Sequence, residues 1–199
     1  MIKTLLIAAA LGLAGCASLN QVASDVSTFG EWPAGRAPGT YAFERLPSQQ
    51  ARAAEADVLE VAARPALEKA GFKPAAPGAE PDVLVQVGAR ASRTDYGPWD
   101  DPLWFRGSFG YWRYGPWIGP RWGVSAIYSP YVHQRYEREV AVLIRDRASG
   151  KPLFEARASN EGGSAAGGQT VALMFEAALM DFPKLGVNPR RVVVGPGAK

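Results

Sequence analysis

Along the chain the period of the apolar positions changes several times, and each change marks an element. Thr40-Tyr41-Ala42-Phe43 alternates, with Tyr41 and Phe43 on one face, and Pro47 closes the run, as expected of a short strand. From Gln49 to Ala70 the period becomes helical: Val58, Leu59, Val61, Ala62, Ala66 and Leu67 share a spacing of three and four. Gly71 is the expected stop. Pro65 lacks the N–H that a helix interior needs, so a kink or a split is expected there. Pro81-Asp82 then opens a strand with Val83, Val85 and Val87 on one face.

Alternation returns at Arg135 and is clearest at Val140, Val142 and Ile144. Asp146 to Lys151 (DRASGK) has the chemistry of a turn, and Leu153 to Ala158 alternates again, so the two runs read as a β-hairpin with a longer loop. Asn160 to Gly168 is a Gly/Ser/Ala linker. Gln169 to Phe182 carries Val171, Met174, Phe175, Ala178, Leu179 and Phe182 on one helical stripe, and Pro183 ends it. Arg190 to Val194 fits a last edge strand. Asn20 to Thr28, with Val22 and Val26 on one parity, fits either a tether or a first strand. The order of elements predicts an α+β fold of two layers, a mainly antiparallel sheet with two helices on one face.

One stretch obeys no period. Residues 96–136 hold five of the six tryptophans, Trp99, Trp104, Trp112, Trp117 and Trp122, with Tyr111, Arg106, Arg113 and Arg121 among them. Pro98, Pro102, Pro116 and Pro120 keep the segment from forming a regular element, so it reads as a long aromatic Gly/Pro-rich insert. The rings either pack over the sheet or form a contact surface. Trp and Tyr suit protein interfaces, membrane-interface belts and sugar faces, and the three arginines suit anionic headgroups or glycans.

The N-terminal end changes the picture most. Lys3 precedes a short apolar run, Thr4 to Leu13, and Leu13-Ala14-Gly15-Cys16 follows. The run is too short to span a bilayer, which takes roughly 20 apolar residues. It has the form of a signal peptide (1–15) ending in a lipobox, with small residues for the peptidase and a thiol able to take a diacylglycerol thioether. Cys16 is the only cysteine, so no internal disulfide is available and lipidation would remove a lone exported thiol. Two or more acyl chains give stable anchoring. Ala17 and Ser18 follow, with no Asp to retain the protein at the inner membrane, so the expected location is the periplasmic face of the outer membrane.

Composition adds bounds. With 47% hydrophobic and 21% charged residues there is material for a core. Removing Lys3 leaves 21 basic against 19 acidic residues, a net charge of about +2 after cleavage, with no basic run of the kind that tracks nucleic acid. The expected organisation is 16–38 as lipidated cysteine with tether or first strand, 39–184 as the α+β domain, and 185–199 as a C-terminal tail.

Several short motifs fall in a recognisable order: Thr40-Tyr41-Ala42-Phe43, Gly71-Phe72, Pro81-Asp82-Val83-Leu84-Val85, Arg145-Asp146, Ser149-Gly150-Lys151-Pro152-Leu153-Phe154 and Phe182-Pro183. In this the chain resembles the bacterial lipoproteins of the domain-of-unknown-function family numbered 4136, from about Asp25 to Pro183. Phe154-Glu155-Ala156 departs from the resemblance, where a Trp followed by a basic or small residue would be typical, and the insert is unusually rich in Trp. The resemblance implies a fold and an envelope location, and no activity.

Catalytic material is sparse. His133 is the only histidine and reads as a surface or strand-edge residue. Asp95, Asp100 and Asp101 offer carboxylates for a metal site or an acid pair, but Asp100-Asp101, flanked by Trp99 and Pro102, reads more simply as a solvated loop. Gly162-Gly163 and Gly167-Gly168 lack the Lys-Ser/Thr of a phosphate loop. No metal, cofactor or nucleic acid is expected. The expectation is a non-enzymatic envelope structural, assembly or binding module, held to the membrane by its lipid, with Trp99, Trp104, Arg106, Tyr111, Trp112, Arg113, Trp117, Arg121 and Trp122 as its surface toward an envelope protein, glycan or lipid headgroup. The alternative is a hydrolase acting on an envelope polymer through acidic residues of the insert.

Overall fold

The computed structural model describes residues 21–96, 133–164 and 166–196. Its strands are β1 (Val22–Gly30), β2 (Thr40–Phe43), β3 (Lys73–Pro74), β4 (Val83–Tyr96), β5 (His133–Asp146), β6 (Pro152–Gly162) and β7 (Arg190–Val194). The helices are α1 (Pro47–Gln50), α2 (Ala53–Lys69) and α3 (Gly168–Leu179). Cys16 and residues 97–132, which carry every tryptophan and arginine of the expected contact surface, lie outside the described residues. The chain divides into two units, Met1–Ala91 with Arg138–Asn160 and Ala166–Lys199, and Ser92–Glu137 with Glu161–Ala165.

The strands form one seven-stranded sheet in the order β3-β2-β4-β5-β6-β1-β7. It is mixed, which corrects the expectation of a mainly antiparallel sheet. β1 is antiparallel to β6 and β7, whereas β2 is parallel to both β3 and β4. The cause is the connection: α1 and α2 carry the chain back along the sheet, so β3 and β4 enter in the same direction as β2, as crossovers through a helix require. The N-terminal stretch takes the strand alternative and is no edge, since β1 is hydrogen-bonded on both sides. β7 is an edge strand, with β3 at the other edge; β4 runs to Tyr96 and β5 begins at His133, so residues 96 and 133–136 of the expected insert are strand.

Burial follows the predicted alternation in the first unit. Val83, Val85, Val140, Val142, Ile144, Phe154, Ala156, Ala158, Val192 and Val194 are buried and share one core with Ala63, Ala66 and Leu67 of α2 and Met174, Phe175, Ala178 and Leu179 of α3. The two long helices are joined at their surface by Lys69 and Glu176, 2.5 Å apart. α2 is not split at Pro65: this residue is exposed, inside a helix that runs on to Lys69. The break falls earlier, at residues 51–52, after the short helix α1, which the sequence reading merged with α2; Pro47 opens α1, where a missing N–H costs nothing. α3 ends at Leu179, before Phe182, and the freed chain turns Phe182 into a ring cluster.

In the second unit, an exposed ion pair joins Arg135 of β5 to Glu161 of β6 at 3.4 Å. No described helix is long and apolar enough to cross a membrane.

Candidate functional site

The two ends of the first unit differ in kind. At one end the loop after β1, the start of β4 and the β5–β6 turn are tied to one another by side-chain hydrogen bonds. The loop after β1 carries Trp32, whose indole N–H donates to the Arg36 carbonyl at 3.0 Å, while the Arg36 guanidinium lies 5.5 Å from the ring centroid. Arg36 then reaches two other turns, donating to Asp146 Oδ2 at 2.8 Å and to the Asp82 carbonyl at 3.3 Å. Asp82 Oδ2 accepts from the Thr40 N–H at 2.6 Å and the Thr40 hydroxyl at 2.7 Å. Asp146 Oδ1 accepts from the Ser149 N–H at 2.8 Å and its hydroxyl at 2.7 Å, which closes the DRASGK turn.

Beneath this network four rings meet. Phe182 lies 4.8 Å from Trp32, 5.1 Å from Phe72 and 5.0 Å from Phe154, centroid to centroid. The Trp32 and Phe154 contacts are edge-on and the Phe72 contact is tilted, geometries that add to the burial of each ring. The short motifs quoted from the sequence therefore converge here: Gly71-Phe72, Pro81-Asp82, Arg145-Asp146, Ser149-Gly150, Phe154 and Phe182 are parts of one clamp. Arg36 and Trp32 complete it and belong to no motif; the one available signal was that Trp32 is the sole tryptophan outside the insert.

Paired carboxylates invite an acid–base reading, and their surroundings argue against it. Hydrogen bonds from Ser149, then the Arg36 guanidinium, hold the Asp146 carboxyl down to about 2. Hydrogen bonds from the Thr40 N–H and hydroxyl lower Asp82. Glu44 is lowered by its hydrogen bond from Arg145, with Gln86 donating as well. Groups held ionised and filled with donors cannot deliver a proton near neutrality. Tyr41 is pushed up by burial, so its hydroxyl stays neutral.

At the other end of the first unit β4, β5, β6, β1 and β7 lie side by side. Arg138, at the start of this unit's part of β5, donates to Asn160 Oδ1 at 3.0 Å, and Asn160 Nδ2 donates to the Ala23 carbonyl at 2.7 Å. Arg90 of β4 donates to Glu139 at 2.7 Å. Gln21 Nε2 donates to the Pro196 carbonyl at 3.3 Å, and Val22 lies opposite Val194. Residues 21–23, 90–91, 138–139, 160 and 194–196 are thus neighbours. The chain preceding β1, both connections to residues 92–137 and the chain after β7 all pass through this one end.

Of the candidate residues named from the sequence, Cys16 and the nine of the insert lie outside the described residues, as do Asp100 and Asp101. Asp95 and His133 lie in β4 and β5. Among the described residues no group of three His, Cys, Asp or Glu is arranged to hold a metal ion.

Residues 25–184 match the family described as Domain of unknown function (DUF4136). No curated protein matches the chain. Among solved structures, the fold is similar to that of a PDZ domain protein from Parabacteroides distasonis, at 17% identity and a TM-score of 0.51, over 87% of this chain and 38% of that one. The chain therefore spans well under half the length of that protein, and the likeness concerns fold alone. A dodecameric PelC from Paraburkholderia phytofirmans is similar at 13% identity and a TM-score of 0.41, over 78% of this chain and 94% of that one, too loose a likeness to bear on function.

Proposed function

The chain belongs to the family described as Domain of unknown function (DUF4136), and on that premise we propose that it is a lipid-anchored, non-enzymatic contact module of the bacterial envelope, on the periplasmic face of the outer membrane. Cys16 carries the lipid, and the tryptophans and arginines of residues 99–122 meet an envelope partner, glycan or lipid headgroup. The observation that carries this reading is the shared end: the chain from Cys16 and the chain into and out of the tryptophan-rich segment pass through the same end of the first unit. An anchor and a contact segment leaving together suit a module that works at a surface. The opposite end supports the non-enzymatic part, since its carboxylates are spent on tying turns.

The finer architecture is read as two layers. α2 and α3 share a core with the inward side of the sheet. The outward side carries ion pairs between Glu44 and Arg145, Glu139 and Arg90, and Glu155 and Arg157, as expected of a face in water.

Mass spectrometry of protein extracted from membranes tests the anchor. The expected result is an acylated N-terminal peptide beginning at Cys16 and release of a Cys16→Ser chain from the membrane fraction. An unmodified Cys16 in membrane-bound protein overturns it.

A further inference from the structure

We infer that the outer edge of β7 pairs with the same strand of a second copy of this chain, antiparallel, so that two sheets join into one. The inference lies wholly within the first unit and is independent of the lipid anchor proposed above.

β1 shows which way β7 turns its backbone. The Thr28 N–H donates to Asn188 Oδ1 at 2.8 Å, and Asn188 Nδ2 donates to the Thr28 carbonyl at 2.7 Å, so Thr28 turns both groups to the β7 side. Odd-numbered residues turn theirs to β6: the Ala23 carbonyl accepts from Asn160, and the Glu31 N–H donates to the Leu153 carbonyl. Residues along a strand alternate in this respect. Val22, Ser24 and Val26 therefore face β7, where Val194, Val192 and Arg190 lie opposite them. The N–H and C=O groups of Arg191 and Val193 are left pointing outward, where no described strand lies. Arg191 is exposed, and Val193 is 41% exposed.

The other edge of the sheet is built differently. The Lys73 N–H donates to the Gly39 carbonyl and the Ala75 N–H to the Tyr41 carbonyl, both toward β2. Between them Pro74 is the outward residue, and proline has no N–H to offer. A two-residue strand of lysine and proline is a blunt edge of the kind that resists pairing. β7 has five residues, and each copy presents two donors and two acceptors. One edge is closed and the other is a template.

The strand is complementary to itself. Arg191 and Val193 flank Val192 evenly, so an antiparallel copy centred on Val192 sets Arg191 against the copy's Val193, and Val193 against the copy's Arg191. All the outward groups of both residues are then used. On the outer face each Arg191 keeps Asp25, its register partner in β1, on one side and gains a valine on the other. Like charges do not stand directly opposite, where they destabilise a pair. The neighbouring registers fit less well. One sets Arg191 against Arg191, and Val193 against Pro189, which has no N–H. The other sets Arg191 against Gly195, whose φ of 139° takes the chain out of the strand. Since the β3 edge cannot repeat the pairing, the assembly closes at two copies.

The test uses the full chain extracted from membranes in detergent, measured by sedimentation velocity over a range of concentrations beside Val193→Pro. An edge strand tolerates proline where the missing N–H faces outward, so this change removes a donor from the free edge and leaves the pairs with β1. The expected result is a dimer whose dissociation constant rises more than about tenfold in Val193→Pro, with circular dichroism unchanged. Amide hydrogen exchange on the unsubstituted chain needs no variant to fold: protection at Arg191 and Val193 should grow with chain concentration, while that at Val192 stays constant. A single copy at every concentration, assembly beyond two copies, or a dimer that a folded Val193→Pro leaves intact overturns the pairing. Protection at Arg191 and Val193 that is independent of concentration does so too, because it places some other segment on the edge.

Discussion

Arg36 and Asp146 stand 110 residues apart in sequence, and a guanidinium nitrogen of one lies 2.8 Å from a carboxylate oxygen of the other. The pair joins the loop after β1 to the turn of the β5–β6 hairpin, with Asp82 at the mouth of β4 as the third partner. This joint has a pH signature. The carboxyl of Asp146 is lowered to about 2, chiefly by Ser149 and then by Arg36, and Asp82 and Glu44 are lowered in the same direction. A folded value below the unfolded one means that the stabilisation is complete above the ordinary aspartate range, about 3.9, and disappears as pH falls through the folded value. The urea midpoint is expected to hold from about pH 7 to 5 and to fall between roughly pH 4 and 2. Asp146→Asn lowers the midpoint at neutral pH and flattens the acid decline. A variant whose profile runs parallel to the wild type removes Asp146 from this role.

Gly39 and Gly78 give a matched pair. Both have positive φ, +77° and +80°, so alanine is strained equally at each. Only at Gly39 does an added methyl meet a neighbour, Asp82 Oδ2 at 2.7 Å, the same oxygen that Thr40 uses. Gly78→Ala should cost about 1 kcal/mol from backbone strain alone, and Gly39→Ala roughly 1–2 kcal/mol more. Equal unfolding midpoints for the two variants would show that the Asp82–Thr40 contact contributes little.

Phe182 is only half-buried, yet it touches Trp32, Phe72 and Phe154. Phe182→Ala is expected to cost about 2–4 kcal/mol, at or below the range for buried rings. A loss under about 1 kcal/mol, the size of an ordinary surface change, would mean that the ring cluster does not hold the clamp together.

Tyr41 is 2% exposed, and its hydroxyl has no hydrogen-bond partner among the described residues. An unsatisfied buried group of this kind costs stability, so Tyr41→Phe should be neutral or stabilising by up to about 1 kcal/mol. A clear loss in the melting of this variant would reveal a partner for the hydroxyl.

The sequence made the inward positions of each strand legible because burial on one face imposes a period of two: Val83, Val85, Val140, Val142 and Ile144 were readable at once. Strand direction was not, because alternation looks the same in parallel and antiparallel pairs; β2 and β4 are parallel through the path of α2. Pro65 misled because its cost was assigned without knowing that its side faces solvent. The clamp was half legible. Its motif residues were visible as isolated turn signals, but what unites them is Arg36, whose partners lie 46 and 110 residues away. No local pattern records a contact of that range.

The contact claim is tested most directly by Trp104→Ala and Trp112→Ala in the chain from Ala17 onward. Each variant is measured by urea unfolding and by binding to phosphatidylethanolamine–phosphatidylglycerol vesicles. Stability within about 1 kcal/mol of the parent, together with weaker vesicle binding, is the predicted result. Destabilisation of both variants by roughly 3–5 kcal/mol, as for rings removed from a core, with vesicle binding unchanged, would contradict it.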